Sequence, residues 1–185
     1  LVGLSGGIDS ALTATIAVDA LNSNNVIGVA MPSKFNAKSS LEDAKELANN
    51  LNIELKTIII EETADKFRKL LKESISEDLK SVVDENIQSR IRGNLLMGLS
   101  NQLGAMVVAT GNKSEMAVGY STLYGDLAGG FALLKDVYKT EVYNLSNYRN
   151  SISEVIPRNI IEKKPSAELS EDQYDSDSLP EYDLL

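Results

Sequence analysis

Short apolar runs alternate along this chain with longer amphipathic stretches, and no other feature constrains the fold as much. It is the pattern of a parallel sheet whose strands are joined by crossover helices. Strands are predicted over 1–4, 26–31, 53–60, 105–110 and 131–134, and helices over 10–21, 39–51, 63–74, 84–103 and 140–148. Ser39 with Glu42 has the spacing of a capping box. Phe67, Leu70 and Leu71 share a face of the third helix, and Ile87, Ile91, Leu95 and Leu99 recur every fourth residue as the expected buried stripe of the fourth. With no internal repeat or low-complexity linker, the economical reading is one α/β domain over 1–185, a doubly wound parallel sheet of the Rossmann-like kind. Such sheets bind ligands at the carboxyl ends of their strands, which directs attention to the residues after Leu4, Met31 and Thr110.

The chain has 185 residues, 43% of them hydrophobic, enough for the core of about one domain. It carries 27 acids against 18 bases. Glu168, Glu171, Asp172, Asp175, Asp177, Glu181 and Asp183 all follow Ala167, where there is no Lys or Arg. Setting those seven aside leaves 20 acids against 18 bases, so most of the charge belongs to an acidic segment over 168–185. That segment reads as a solvated, mobile loop that a ligand or partner could order. The charge argues against a broad nucleic-acid surface. There is no Cys and no His, so disulfides, Cys/His zinc sites, thiol catalysis and Ser-His-Asp triads are excluded. Chemistry is left to carboxylates, Lys and Arg, hydroxyls, backbone amides or a hard metal ion. No apolar run approaches the roughly 20 residues of a membrane span, and there is no basic, cleavable leader. A cytoplasmic protein without membrane partners is expected. The chain opens on Leu-Val-Gly-Leu without Met, which reads as an excerpt lacking N-terminal sequence.

Ser5-Gly6-Gly7-Ile8-Asp9-Ser10 lies between a strand and a helix. Two glycines there let the backbone approach an anion, and the helix start supplies unpaired N–H groups. Phosphate is the natural guest, although the loop is neither a Walker A sequence nor the dinucleotide fingerprint. A carboxylate in an anion loop repels phosphate unless a cation lies between them, so Asp9 suggests a Mg2+ ligand. Thr110-Gly111-Asn112-Lys113-Ser114-Glu115 follows the fourth strand and should reach the same sheet edge. Glu115 there could complete the Mg2+ site or simply be a first-turn helix glutamate. Asn86 and Arg90, four apart, could grip a polar ligand or be solvated. Lys135, Lys139 and Thr140 suit either phosphate or a helix start, and Tyr120 and Tyr124 either stack on a base or pack.

Those residues resemble a known family. The first loop is the SGGxDS loop of the ATP pyrophosphatases, adenine nucleotide alpha-hydrolase-like enzymes that split ATP between its alpha and beta phosphates. Residues 85–93, reading ENIQSRIRG, and 110–130, reading TGNKSEMAVGYSTLYGDLAGG, closely resemble NAD synthetases of the glutamine-dependent branch, as do PSAEL at 165–169 and DSLP at 177–180. The resemblance spans essentially the whole chain. It implies ATP-dependent amidation of deamido-NAD through an adenylate, releasing pyrophosphate and then AMP. By motif position, Gly3, Leu4, Ser5, Gly6, Gly7, Ile8, Asp9, Ser10, Thr110, Lys139 and Ser166 would contact ATP, with Asp9 and Glu115 on Mg2+. Asn86, Arg90, Glu115, Tyr120, Ser121, Thr122 and Leu123 would contact deamido-NAD, and Asp126 would orient or deprotonate the incoming amine. The ammonia-dependent branch has Lys where this chain has Leu123 and Asp where it has Gly130, so those contacts do not carry over. The branch carries an N-terminal glutaminase domain with a catalytic Cys, which this chain lacks; ammonia would be free or delivered by that domain. A homodimer or larger homo-oligomer is implied by analogy.

Overall fold

The computed structural model describes all residues except Ser76, Glu171 and Asp172, so two of the acids counted above lie outside the described residues. Five parallel strands make one sheet in the order β3-β2-β1-β4-β5: β1 (Val2–Gly3), β2 (Ile27–Ala30), β3 (Glu54–Thr57), β4 (Val108–Ala109) and β5 (Phe131–Ala132). Val2 pairs with Gly28 on one side and Val108 on the other, so β1 is central. The order reverses between β1 and β4, the switch point where doubly wound sheets open a crevice.

The crossovers are α1 (Ile8–Leu21), α2 (Lys38–Asn50), α3 (Glu61–Ile75) and α4 (Ser81–Leu103), followed by α5 (Lys113–Val118), α6 (Lys139–Ile152) and α7 (Arg158–Glu162). Strand alternation divides the apolar residues between two cores. Val2 and Leu4 face one layer with Leu12 of α1, Leu47 of α2, Val142 of α6 and Ile160 of α7. Val29, Met31 and Val107 face the other with Ala64 of α3 and Ile87, Ile91 and Leu96 of α4. Each aliphatic side chain buried in these layers contributes ~1.5–3 kcal/mol, and helices on both faces hold the strand ends in register at the crevice.

The predicted elements are all present, with corrections at their ends and faces. Helix α2 starts at Lys38 with Ala37 as its N-cap and no side-chain cap bond, so Ser39 and Glu42 form no capping box. Phe67 and Leu70 are exposed, and the inward residues of α3 are Ala64 and Leu71. On α4 the stripe drifts, leaving Leu95 and Leu99 half-buried while Leu96 is buried, because 3.6 residues per turn rotates an every-fourth pattern off the face. The six-residue α5 has Glu115 in its first turn, one of the two placements its position allowed. Nor is the acidic segment solvated throughout: Asp175 is 4% exposed, and short 3-10 turns cover Asp175–Asp177 and Tyr182–Leu184.

Candidate active site

The loop between β1 and α1 is pinned by its own hydroxyls. Ser10 Oγ donates to the Gly7 carbonyl at 2.9 Å, and the Gly7 amide donates to Ser5 Oγ at 3.1 Å. Gly6 sits at φ +81°, and a Cβ there would run into the backbone of Ser40 in the first turn of α2. Only glycine fits both the left-handed backbone and the close approach. The N-cap of α1 is Gly7, without a side-chain cap bond, so the first-turn amides are open to an acceptor at the crevice.

Four residues from three segments meet beside that loop. Asp9, in the first turn of α1, forms an ion pair with Lys139, the first residue of α6. Lys139 also lies 3.7 Å from Glu115, and its side chain is only 4% exposed. Asn112 Nδ2 donates to Asp9 at 2.9 Å, while Asn112 Oδ1 accepts from the Glu115 amide and Glu115 accepts from the Asn112 amide, closing a capping box on α5. Burial works against the Lys139 charge, but Asp9 and Glu115 outweigh it and hold the ammonium above its ordinary range. Burial first, and then the Asp9 charge, push Glu115 up to about 7. Paired carboxylates at an anion loop supply hard oxygens of the kind Mg2+ takes, with phosphate and water oxygens completing the shell. The residues therefore fit the metal expected from sequence, and Lys139 is the cation that neutralises them here.

A second node joins α4 to the 120–128 loop. Asp126 Oδ1 accepts from the Thr122 amide at 2.7 Å and from Ser89 Oγ at 3.2 Å, and Ser89 Oγ in turn accepts from the Asp126 amide at 3.0 Å. Thr122 Oγ1 donates to Asn86 at 2.7 Å, and Arg90 Nε donates to the Leu123 carbonyl at 3.2 Å. Gly125 lies so close to Ser89 that any Cβ would overlap its hydroxyl. Asn86, Ser89 and Gly93 recur at three- and four-residue steps, one face of α4, so the helix presents a polar edge to the loop.

The segment after α7 crosses the same opening. Glu168 accepts from Ser40 Oγ at 2.5 Å and from Asn36 Nδ2 at 3.0 Å, and Gln88 donates to the Leu169 carbonyl at 3.0 Å. Ser166 Oγ donates to the Gln173 carbonyl at 2.5 Å and accepts from the Glu168 amide, so it forms the turn of this strap. Arg92 donates from Nε to the Met31 carbonyl at 3.0 Å and from Nη2 to Asn36 at 3.1 Å. Burial lowers the Arg92 guanidinium to about 10.

Together these parts line one cavity of about 490 Å³ at the strand ends. Of the residues expected from sequence, Gly3, Leu4, Ser5, Gly7, Ile8, Asp9, Ser10, Asn86, Thr110, Glu115, Tyr120, Ser121, Thr122, Asp126, Lys139 and Ser166 are in its wall. Gly6 stands behind the wall against Ser40, Arg90 reaches the loop from outside, and Leu123 is 59% exposed away from the cavity. Tyr124 is 77% exposed. Sequence reasoning missed Asn112, Ser89, Arg92, Glu168 and Asp175. Asn112 was findable, since Asn-Lys-Ser-Glu has capping-box spacing, and Ser89 shares the helix face of Asn86. Nothing local marks Glu168 or Asp175.

A family model described as NAD synthase matches residues 1–185. The glutamine-dependent NAD(+) synthetase of Aquifex aeolicus is 55% identical over 185 residues, all of this chain and 33% of that protein. The solved structure of glutamine-dependent NAD+ synthetase from Acinetobacter baumannii in complex with adenosine diphosphate superposes with a TM-score of 0.85 at 47% identity, over 98% of this chain and 32% of that one. NMN synthetase from Francisella tularensis superposes with a TM-score of 0.84 at 35% identity, over 95% of this chain and 69% of that one. The chain thus spans about a third of the length of the glutamine-dependent relatives.

Proposed function

The chain belongs to the NAD synthase family, and from that premise we propose that it is the ATP-dependent amidating domain, residues 1–185, of a glutamine-dependent NAD(+) synthetase. The observation that carries this reading is the single cavity that joins a phosphate-sized glycine loop and its Asp9–Lys139–Glu115 cluster to the Asp126 node. A carboxylate is a poor electrophile until its oxygen becomes a leaving group. In the first step, a carboxylate oxygen of deamido-NAD bonds to the alpha phosphorus of ATP and pyrophosphate leaves. In the second, ammonia formed by loss of a proton from ammonium attacks the acyl carbon, and the C–O bond to AMP breaks. The nitrogen then sheds a further proton to leave the amide.

The loop amides and Lys139 hold the phosphates and neutralise their charge. Asp9 and Glu115 would hold Mg2+, which would supply Lewis-acid neutralisation of phosphate charge. Ser166 and Thr110 complete the ATP contacts. Asn86 and residues 120–122 hold the dinucleotide, Arg90 steadies that loop through the Leu123 carbonyl, and Asp126 orients or deprotonates the amine. With no Cys, the chain itself hydrolyses no glutamine; ammonia arrives free or from an N-terminal glutaminase domain. A cytoplasmic homodimer or larger assembly is part of this reading. Among the described residues no helix is long and apolar enough to cross a membrane.

The test mixes the protein with ATP, Mg2+ and deamido-NAD, with ammonium or glutamine in parallel. NAD, AMP and pyrophosphate formed with ammonium support the reading. Pyrophosphate release independent of deamido-NAD overturns it. The likeness to NMN synthetase favours a second reading, in which the acceptor is the corresponding mononucleotide. A parallel arm with nicotinate mononucleotide decides between them by the larger kcat/KM.

A further inference from the structure

Three carboxylates, Asp9, Glu115 and Asp175, line the same cavity, and all three bear on the Lys139 ammonium. Asp9 and Glu115 are engaged by Lys139, Asn112 and the amides of α5. Asp175 differs. It is 4% exposed, and its Oδ2 accepts from the Tyr182 hydroxyl at 2.8 Å, but its Oδ1 is buried with no hydrogen-bond partner among the described residues. A buried, unpaired carboxylate oxygen is costly, and in native proteins such an atom marks a functional group or the place of a bound donor.

The surroundings define the donor. Among the described residues no three acidic side chains converge closely enough to hold one metal ion, so Asp175 adds no third ligand to the Asp9–Glu115 pair. One unpaired oxygen is far short of the oxygen shell that Mg2+ requires. The walls are aromatic: the Tyr182 ring lies 5.3 Å from Lys139 Nζ, an arrangement in which a ring face accepts an ammonium group. The Tyr120 phenol is pushed up to about 12 by burial first and then by the charge of Asp175, which its hydroxyl also lies close enough to engage as a donor; the phenol oxygen keeps a lone pair able to accept. A carboxylate oxygen with phenols and ring faces around it suits a small cation that binds by donating hydrogen bonds.

Resting on the amide-forming reading above, we infer that Asp175 is the principal acceptor of an ammonium subsite, which captures the nitrogen substrate before it is delivered to the Asp126 side of the cavity. The acidic segment thereby contributes a substrate-binding group. The inference concerns binding alone and adds no chemical step.

The experiment uses the protein at its full natural length, with ammonium chloride as the nitrogen source and glutamine omitted. ATP–pyrophosphate exchange without ammonium reads the first step, and the ammonium KM reads capture. For Asp175→Asn the expected result is an ammonium KM raised about tenfold or more, a rise several times larger than any change in exchange or in the KM values for ATP and deamido-NAD. Asp175→Ala should raise the ammonium KM further, because the amide oxygen of Asn still accepts. Tyr182→Phe, which removes the Oδ2 partner and frees the carboxylate to turn, should raise it about threefold, and keeps the test available if the Asp175 variants do not fold. An unchanged ammonium KM overturns the inference. So does an equal loss of exchange and amidation, or a shifted Mg2+ requirement, since either makes Asp175 a nucleotide, metal or structural residue. Failure of the unsubstituted protein to make NAD with ammonium would instead strike the underlying reading.

Discussion

The two ends of the cavity solve the same problem, fixing a carboxylate in the cavity wall, by different physics. At one end Asp9 is held by an ion pair with a nearly buried Lys139 and by the Asn112 amide. At the other, Asp126 is held by neutral donors, a backbone amide and a serine hydroxyl, and remains exposed. The charged end is assembled from residues more than 100 positions apart, whereas the neutral end needs only α4 and the loop that follows α5. A buried ion cluster cannot lose one member without stranding the others. A network of neutral donors can lose one bond and keep its shape.

That contrast orders the expected effects of substitution. Lys139→Met should be the most damaging, leaving Asp9 and Glu115 facing each other in a buried site; a stability loss of about 3–5 kcal/mol is expected, measured by urea unfolding together with loss of NAD formation. If Lys139→Met is as stable as the parent, the ion cluster is not what holds that end together. Asp9→Asn should reduce ATP–pyrophosphate exchange on the order of a thousandfold while ATP analogues still bind weakly in calorimetry. Exchange at the unsubstituted rate would remove Asp9 from the first step.

At the neutral end, Asp126→Asn should slow amidation roughly a hundredfold and adenylate formation much less, read by single-turnover kinetics. Equal loss of both steps would make Asp126 a binding residue. The smallest effect is expected for Ser89→Ala, about fivefold in kcat from loss of a bond of about 1 kcal/mol, with the KM for ATP unchanged. Restoration of kcat by Ser89→Thr would show that the hydroxyl positions Asp126, whereas no change in Ser89→Ala would leave that task to the Thr122 amide alone.

How much of this was readable before folding varied with distance along the chain. The Ser5–Ser10 loop, Asn86 and Glu115 all belong to short patterns whose geometry is local: a strand-to-helix turn, a helix face, the first turn of a helix. The Ser39–Glu42 box failed because the chain enters α2 two residues earlier than a Ser39 cap would require, and the neighbouring Ser40 hydroxyl is used on Glu168. Arg90 and Leu123 were expected to touch substrate directly, yet they bond to one another through the Leu123 carbonyl and stand outside the cavity wall. Asp175 gave no sign at all, since a carboxylate in a run of acids reads as solvated unless a distant wall covers it.

Sequence by itself determined the layers and the chemistry available. Alternating apolar runs dictated a parallel α/β sheet, a glycine pair dictated an anion loop at its edge, and the absence of Cys and His left carboxylates and lysine as the reactive groups. Only the tertiary structure decided which carboxylates pair, which stays open to solvent and which is buried with an unpaired oxygen. Those outcomes depend on the close approach of segments far apart in the chain, where desolvation and Coulomb attraction change steeply over a few ångströms, and no local pattern encodes such distances.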